Sequence, residues 1–172
     1  MTVFDDTAPR RRLILVCGAG GTGKTTLADL LSHELNIACL HKDDLKTALH
    51  DAGITTPRSF AVFRALAERL LSNRVDLIIE ATMHEPADWD VLLRWQEAYE
   101  LDLVSVICSA DRDERERRIR TRVRHAAHAE ADRRQLADLD VVADYAALPG
   151  RHIEIETHGD PSSSVRAVLA RL

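Results

Sequence analysis

The sequence predicts a three-layer α/β domain built on a five-stranded parallel sheet, and three observations carry that prediction. Five short apolar runs alternate with longer amphipathic segments along the 172 residues, the pattern of strands joined by crossover helices. Most of the runs are continuously apolar rather than alternating, as strands covered on both faces are. The first run opens into a glycine-rich turn and then a helical segment, an arrangement that puts a ligand at the carboxyl end of a parallel sheet. The crossovers should be right-handed.

The strands are read at Leu13–Cys17, Ile37–His41, Val75–Ala81, Leu103–Cys108 and His152–Thr157. A helix should run from Thr25 to about Leu35. After the second strand, Asp44 reads as the cap of a helix from Leu45 to His50, because a carboxylate there accepts from first-turn amides. Thr56-Pro57 opens the next helix, with Phe60, Phe63, Leu66, Ala67 and Leu70 on one face. Glu85-Pro86 opens another, with Trp89, Leu92, Leu93 and Tyr99 turned inward. The arginine-rich stretch from Asp111 to Arg134 comes next, then an Ala/Asp/Leu helix to about Leu148, stopped by Pro149-Gly150. Asp160-Pro161 opens the last helix, with Val165, Val168, Leu169 and Leu172 facing the core. No repeat or linker divides the chain, so residues 1–172 read as one domain.

Composition removes several classes. Hydrophobic residues make up 45% of the chain, too many for a disordered one. A formal net charge of −5 argues against a protein that coats nucleic acid. Cys17, Cys39 and Cys108 lie far apart, each in or beside an apolar run, so they read as reduced thiols rather than zinc ligands. Arg10 to Arg12 precede an apolar run too short for a signal peptide, and no window approaches a membrane span. A soluble, cytoplasmic protein, monomer or homodimer, is expected.

The segment Gly18-Ala19-Gly20-Gly21-Thr22-Gly23-Lys24-Thr25 fits G-x-x-x-x-G-K-[ST] without a departure. It lies between a strand and a helix, the context that gives the motif its meaning. Glycines let successive backbone N–H groups turn inward around phosphates, and the helix N-terminus adds dipole and unpaired donors. The pattern predicts a nucleoside triphosphate bound as its magnesium complex. Lys24 should reach the β- and γ-phosphates, the Thr25 hydroxyl should ligate Mg²⁺, and Thr26 should touch the α-phosphate.

A GTPase would carry Asn-Lys-x-Asp late in the chain. His41-Lys42-Asp43-Asp44 is a faint echo at the end of the second strand, the wrong place. A transporter ATPase would carry Ser-Gly-Gly, and an AAA+ module is ordinarily longer with a helical lid domain. With those set aside, the chain resembles the small P-loop kinases of the shikimate, gluconate, chloramphenicol and polynucleotide kinase type, the zeta-toxin-like group above all. The resemblance rests on the phosphate loop and on four shorter segments: Lys42-Asp43-Asp44-Leu45-Lys46, Leu77–Thr82, the arginines of 111–124 with the His125-Ala126-Ala127-His128 tail, and Ile155-Glu156-Thr157.

That resemblance implies ATP with Mg²⁺, a helical lid at about 111–134, and strand order 2-3-1-4-5. Asp43 would be the general base, with Asp44 an open alternative, and Lys46 the substrate anchor. Glu80, with Thr82 and His84, would face the substrate or reach Mg²⁺ through water, although relatives often have Asp there. Arg118 and Arg122, on one helical face with Arg115, would neutralise charge on the transferred group, with Ile119 and Val123 packed beneath and Asp111–Arg115 and Glu114–Arg118 pairs alongside. Thr157 would border the adenine. The expected catalytic set is Lys24, Asp43, Arg118 and Arg122; the nucleotide set runs from Gly18 to Thr26 with Arg118 and Thr157.

The acceptor stays open. Arg58, Arg64 and Arg69 read either as a charged-group reader or as solvated helix residues. A small metabolite or antibiotic is the leading class, a nucleic acid 5′-hydroxyl the competing one, and a non-catalytic nucleotide-gated switch the reading from outside enzymology.

Overall fold

The computed structural model describes residues 11–83, 85–141 and 144–172. Five parallel strands, β1 (Arg11–Gly18), β2 (Cys39–His41), β3 (Leu77–Glu80), β4 (Leu101–Ser109) and β5 (Arg151–Glu156), form one sheet in the order β2-β3-β1-β4-β5. This is the predicted order. The helices are α1 (Lys24–Leu35), α2 (Lys42–Asp51), α3 (Ser59–Ser72), α4 (Pro86–Tyr99), α5 (Arg112–Thr121), α6 (Ala129–Ala137) and α7 (Pro161–Leu169), with a short 3-10 turn at Ala126–His128.

Alternate residues of each central strand feed two cores, which makes the predicted three layers. On one face Leu13, Leu15, Leu77 and Ile79 meet Phe63, Ala67 and Leu71 of α3 and Leu92 and Trp95 of α4. On the other, Ile14, Val16, Ile78 and Val104 meet Leu27, Ala28 and Leu31 of α1 and Val165 and Val168 of α7. A strand buried on both sides has no polar face to offer, hence the continuous apolar runs. The edge strand β5 alternates instead, with Ile153 and Ile155 inward and Arg151, Glu154 and Glu156 exposed. Cys17 and Cys108 are buried free thiols, while Cys39 is half-buried. Removal from water, before any neighbouring charge, pushes the Cys108 thiol up to about 12.

Several local expectations change. Thr56 Oγ1 accepts from the Arg58 amide at 3.0 Å, so Thr56-Pro57 makes a turn and α3 starts two residues later at Ser59. The side chain of Asp44 caps nothing: α2 begins at Lys42 with His41 as an extended N-cap. Asp43 and Asp44 therefore sit in its first turn, where the helix dipole favours negative charge. Leu66 and Leu93 are exposed rather than inward. The helix expected to reach Leu148 ends at Ala137, and Tyr145 and Leu148 fold back into the core beside α3 and α4.

The arginine-rich stretch is also broken. α5 stops at Thr121, and Arg122 is its C-cap with extended backbone. Arg122 thus leaves the helical face it was expected to share with Arg115 and Arg118. Ile119 packs as expected, but Val123 is fully exposed. Asp111 caps α5 by accepting from the Glu114 amide at 2.8 Å, in place of the expected pair with Arg115. The Glu114–Arg118 pair is present at 2.7 Å.

Candidate active site

The register of the sheet builds the site. Parallel pairing places Val16 beside Glu80 and Glu80 beside His41, so the carboxyl ends of β1, β3 and β2 form one row facing α1. The phosphate loop turns out of β1 at the end of that row. Gly21 and Gly23 have φ of 78° and 77°, a left-handed backbone that costs glycine nothing. A Cβ on Gly21 would lie 2.6 Å from the Arg115 carbonyl oxygen and 2.9 Å from its Cα, so that position has no room for a side chain. The loop is held from within, with Thr22 Oγ1 donating to the Ala19 carbonyl at 2.8 Å.

The lid holds the loop from outside. Arg115 donates from Nε to the Gly20 carbonyl at 3.0 Å and from a terminal nitrogen to the Leu139 carbonyl at 3.1 Å. Arg118 donates to the Thr157 hydroxyl at 2.9 Å and the Thr157 carbonyl at 2.6 Å, and its Nε meets Glu114 at 2.7 Å. Thr157 in turn donates to the Thr22 carbonyl at 2.6 Å. Arg118 and Thr157, predicted separately, are one contact that joins α5, the end of β5 and the phosphate loop.

These elements enclose a cleft of about 400 Å³, within the range of small-molecule sites. Gly21, Gly23, Lys24, Thr25 and Thr26 form its floor, Arg118, Thr121 and Arg122 one wall, and Leu27, Thr157, His158, Gly159, Pro161 and Ser164 the other. No side chain caps the N-terminus of α1, so its first-turn amides are free to receive an anion. Sequence reasoning missed Leu27 in α1, Thr121 at the end of α5, and the segment from His158 into the first turn of α7. The last of these had only its position as a signal, after the last strand in a sheet of this type.

Lys24 links the cleft to the row of carboxylates. Its Nζ is 3.4 Å from the Ala19 carbonyl and 3.8 Å from Glu80 Oε1. Glu80 is buried, and its other oxygen meets His41 Nδ1 at 3.2 Å, while His41 Nε2 meets Asp29 at 2.9 Å. With a carboxylate at each nitrogen, the ring is best satisfied with both protonated. The Cys39 side chain first, and then Glu80, hydrogen-bond this ring and push His41 up to about 11. His41 reads as a strand residue and as the start of the faint His41-Lys42-Asp43-Asp44 echo, and neither reading points to this ion-paired role.

A second polar cluster lies where β2 meets α2. Asp43 Oδ2 is ion-paired with Arg124, and Oδ1 faces Lys42 Nζ at 3.5 Å and His128 Nδ1 at 4.0 Å. Burial works to raise the Asp43 carboxyl, but the charges of Lys42 and Arg124 outweigh it and hold it below the usual carboxylate range. Asp132 receives both Arg124, at 2.8 Å, and Arg122, which also donates to Gln135 at 2.7 Å. The Gln135 side chain lies against Gly20. The lid thus touches Asp43 and the phosphate loop through one chain of polar contacts, whose Arg124, Asp132 and Gln135 the sequence did not single out.

Lys46 is half-buried, and burial, then Lys42 and Arg124, lower its pKa. Thr82 is half-buried with its carbonyl accepting from Tyr145 at 3.4 Å; His84 lies outside the described residues. Arg64 packs over the Phe60 ring, 5.3 Å from its centroid, in a groove with Arg94 and Trp95. His125, expected in the lid, meets Asp51 at 3.0 Å with His50 alongside. Its Nδ1 accepts from the Ala127 amide, so Nε2 carries the proton that faces Asp51, and the trio reads as a lid contact rather than a metal seat.

Comparison with known proteins agrees with this geometry. A model for the AAA domain family matches residues 13–144. The chain belongs to that family. In this AAA domain the lid is a pair of short helices and a 3-10 turn rather than a separate helical domain. A solved structure from Chloroflexus aurantiacus j-10-fl, described as a candidate kinase, is similar with TM-score 0.78 and 24% identity, over 95% of this chain and 100% of the other. Shikimate kinase from Acinetobacter baumannii, solved with shikimate, gives TM-score 0.64 at 17% identity over 94% and 92% of the two chains. A gluconokinase from Sinorhizobium meliloti 1021 gives 0.62 at 16%, over 94% and 90%. The fold is that of the small P-loop kinases. No curated protein matches the sequence. Among the described residues no helix is long and apolar enough to cross a membrane.

Proposed function

We propose that the protein is a kinase that transfers the γ-phosphoryl group of Mg-ATP to a hydroxyl of a small molecule, a metabolite or an antibiotic. The observation that carries this reading is the Lys24–Glu80 contact at 3.8 Å. It ties a complete phosphate-loop cleft to a row of strand ends that terminates at an ionised carboxylate, Asp43. A binding module needs the cleft alone, whereas transfer needs a base beside it.

In this reading the acceptor oxygen attacks the γ-phosphorus while the bond from that phosphorus to the β–γ bridging oxygen breaks. ADP leaves, and the hydroxyl proton passes to Asp43. Lys24 and the lid arginines Arg118 and Arg122 balance charge on the transferred group. Lys46 and Thr82 face the acceptor. Hard oxygen donors suit Mg²⁺: the exposed Thr25 hydroxyl at the first turn of α1 would hold it directly, and buried Glu80 through water. Bound there, Mg²⁺ supplies neutralisation of the phosphate charge. The lowered pKa of Asp43 keeps the base ionised across the neutral range.

The test is incubation with Mg-ATP and a pooled library of metabolites, antibiotics and oligonucleotides, read by mass spectrometry. Gain of one phosphate on a single small molecule is expected. Labelling of an oligonucleotide 5′ end instead would move the acceptor to nucleic acid. ATP binding with every hydroxyl compound unchanged would overturn the kinase reading.

A further inference from the structure

We propose that His128 holds the acceptor oxygen: its Nδ1 and Asp43 Oδ1 are the two jaws of a seat for one hydroxyl or water oxygen. This rests on the kinase reading for the identity of the occupant, but the seat itself is a property of the described residues. His128 is 3% exposed. Its Nε2 is paired with the Thr47 hydroxyl at 2.9 Å, while its Nδ1 is buried with no hydrogen-bond partner. Buried polar nitrogens are seldom left so, and an orphan next to a reactive carboxylate calls for a partner.

The distance names that partner. Nδ1 and Asp43 Oδ1 stand 4.0 Å apart, too far for a direct hydrogen bond and too near for two separate ligand groups. Nδ1 is closed to solvent in this structure, so a small shift of the chain around His128 would admit a single oxygen about 2.8 Å from each to bridge them. Such an oxygen has a definite polarity. Asp43 can only accept, so the occupant donates its proton to Oδ1. Nδ1 must then be the protonated ring nitrogen, donating to the occupant, and Nε2 accepts from the Thr47 hydroxyl. The arrangement orients an O–H toward the base and leaves its remaining lone pair free for attack. Arg124 holds the opposite oxygen of Asp43, while Oδ1 faces Lys42 Nζ only at 3.5 Å, which leaves it a lone pair for the occupant. The chemical class of the occupant is an uncharged hydroxyl.

Asparagine and glutamine separate this role from simple lid packing. Asn carries its amide near the Nδ1 position and Gln near the Nε2 position. His128→Asn keeps the donor facing Asp43 and loses the Thr47 contact; His128→Gln does the reverse. Crystals of the wild type and both variants with a non-hydrolysable ATP analogue and Mg²⁺ supply the first readout. An ordered oxygen within hydrogen-bond reach of both residue 128 and Asp43 is expected in the wild type and His128→Asn, and not in His128→Gln. The second readout is turnover with Mg-ATP, with water or the phosphorylated library compound as acceptor. His128→Gln should lose about 10- to 100-fold in kcat, and His128→Asn should recover to within about 3-fold of wild type, on the scale of a positioned proton partner. ATP affinity should be equal in all three. A wild-type crystal with the gap empty, or closed by direct His128–Asp43 contact, overturns the seat. If Gln retains the oxygen and turnover while Asn does not, the role is lid packing through Thr47. Should the library yield no product, the kinase reading fails, yet the crystals still decide the seat with water as its occupant.

Discussion

Asp43, the proposed base, shows how neighbours set the charge of a single side chain. The charges of Lys42 and Arg124 outweigh its burial and hold its carboxyl low, and its position in the first turn of α2 adds the helix dipole to that bias. Asp43→Asn keeps the shape and removes the proton acceptor, so phosphotransfer should fall by about 10²- to 10⁴-fold. ATP affinity by calorimetry should stay within about 2-fold of wild type. If turnover survives, the base lies elsewhere, with Asp44 next to be tested. Gly21 offers a structural counterpart. Its φ of 78° and the Arg115 backbone 2.6 Å from any Cβ mean that Gly21→Ala should lose roughly 1–3 kcal/mol in urea unfolding. The same change should open the cleft wall that Arg115 supports, weakening ATP binding as well.

Elements carry properties that no single residue has. The row of strand ends fixes His41 between Glu80 and Asp29, and this makes the β2–β3 edge sensitive to pH. The Cys39 and Glu80 side chains push the folded His41 up to about 11, well above the ordinary histidine range, so it binds its proton more tightly in the native state. Its contribution is complete below about pH 6.5 and fades as pH rises toward 11. His41→Gln should therefore cost most at pH 6, on the order of 1–3 kcal/mol, and progressively less at pH 8 and 10. Urea melts at the three values check this, and a gap that widens with pH would contradict the charged ring. The element scale also shows what the sequence revealed. Apolar runs and the loop motif made the five strands and the phosphate-loop floor legible, because burial on two faces and a phosphate cradle each demand a local pattern, whereas the strand order came from the resemblance to the small P-loop kinases. The lid was legible only as charge. Where α5 ends depends on Arg122 finding Asp132 and Gln135, a contact across ten and thirteen residues that no periodicity encodes. Arg124 on Asp43 spans 81 residues, and His41 on Glu80 spans 39. The His41–Glu80 pairing follows from the sheet register, and the arginine contacts from where the segment after α5 lies against α2 and α6; neither is known until the chain has folded.

At the scale of the whole molecule, the cleft is assembled from parts far apart in sequence, the loop after β1, the lid after β4 and the turn after β5, so an occupant should stabilise all three together. A ligand that binds only the native state adds RT ln(1 + [L]/Kd), or about 2.7 kcal/mol at 100 times Kd. For a chain of this size that corresponds to a rise in Tm of roughly 5–11 °C. Wild-type protein with saturating Mg-ATP should show a shift of that order by calorimetry. Lys24→Ala should abolish most of it, because it removes the ammonium placed between the Ala19 carbonyl and Glu80. Asp132→Asn separates binding from lid order: it keeps the loop and Lys24 but weakens the carboxylate that holds both Arg122 and Arg124. If the two sides of the lid are separate parts, the ligand-induced shift should persist in Asp132→Asn while turnover drops about 10-fold or more. Loss of the shift and of turnover together would mean that Asp132 supports the nucleotide cleft itself, and that donor and acceptor sides are not separate parts of the lid.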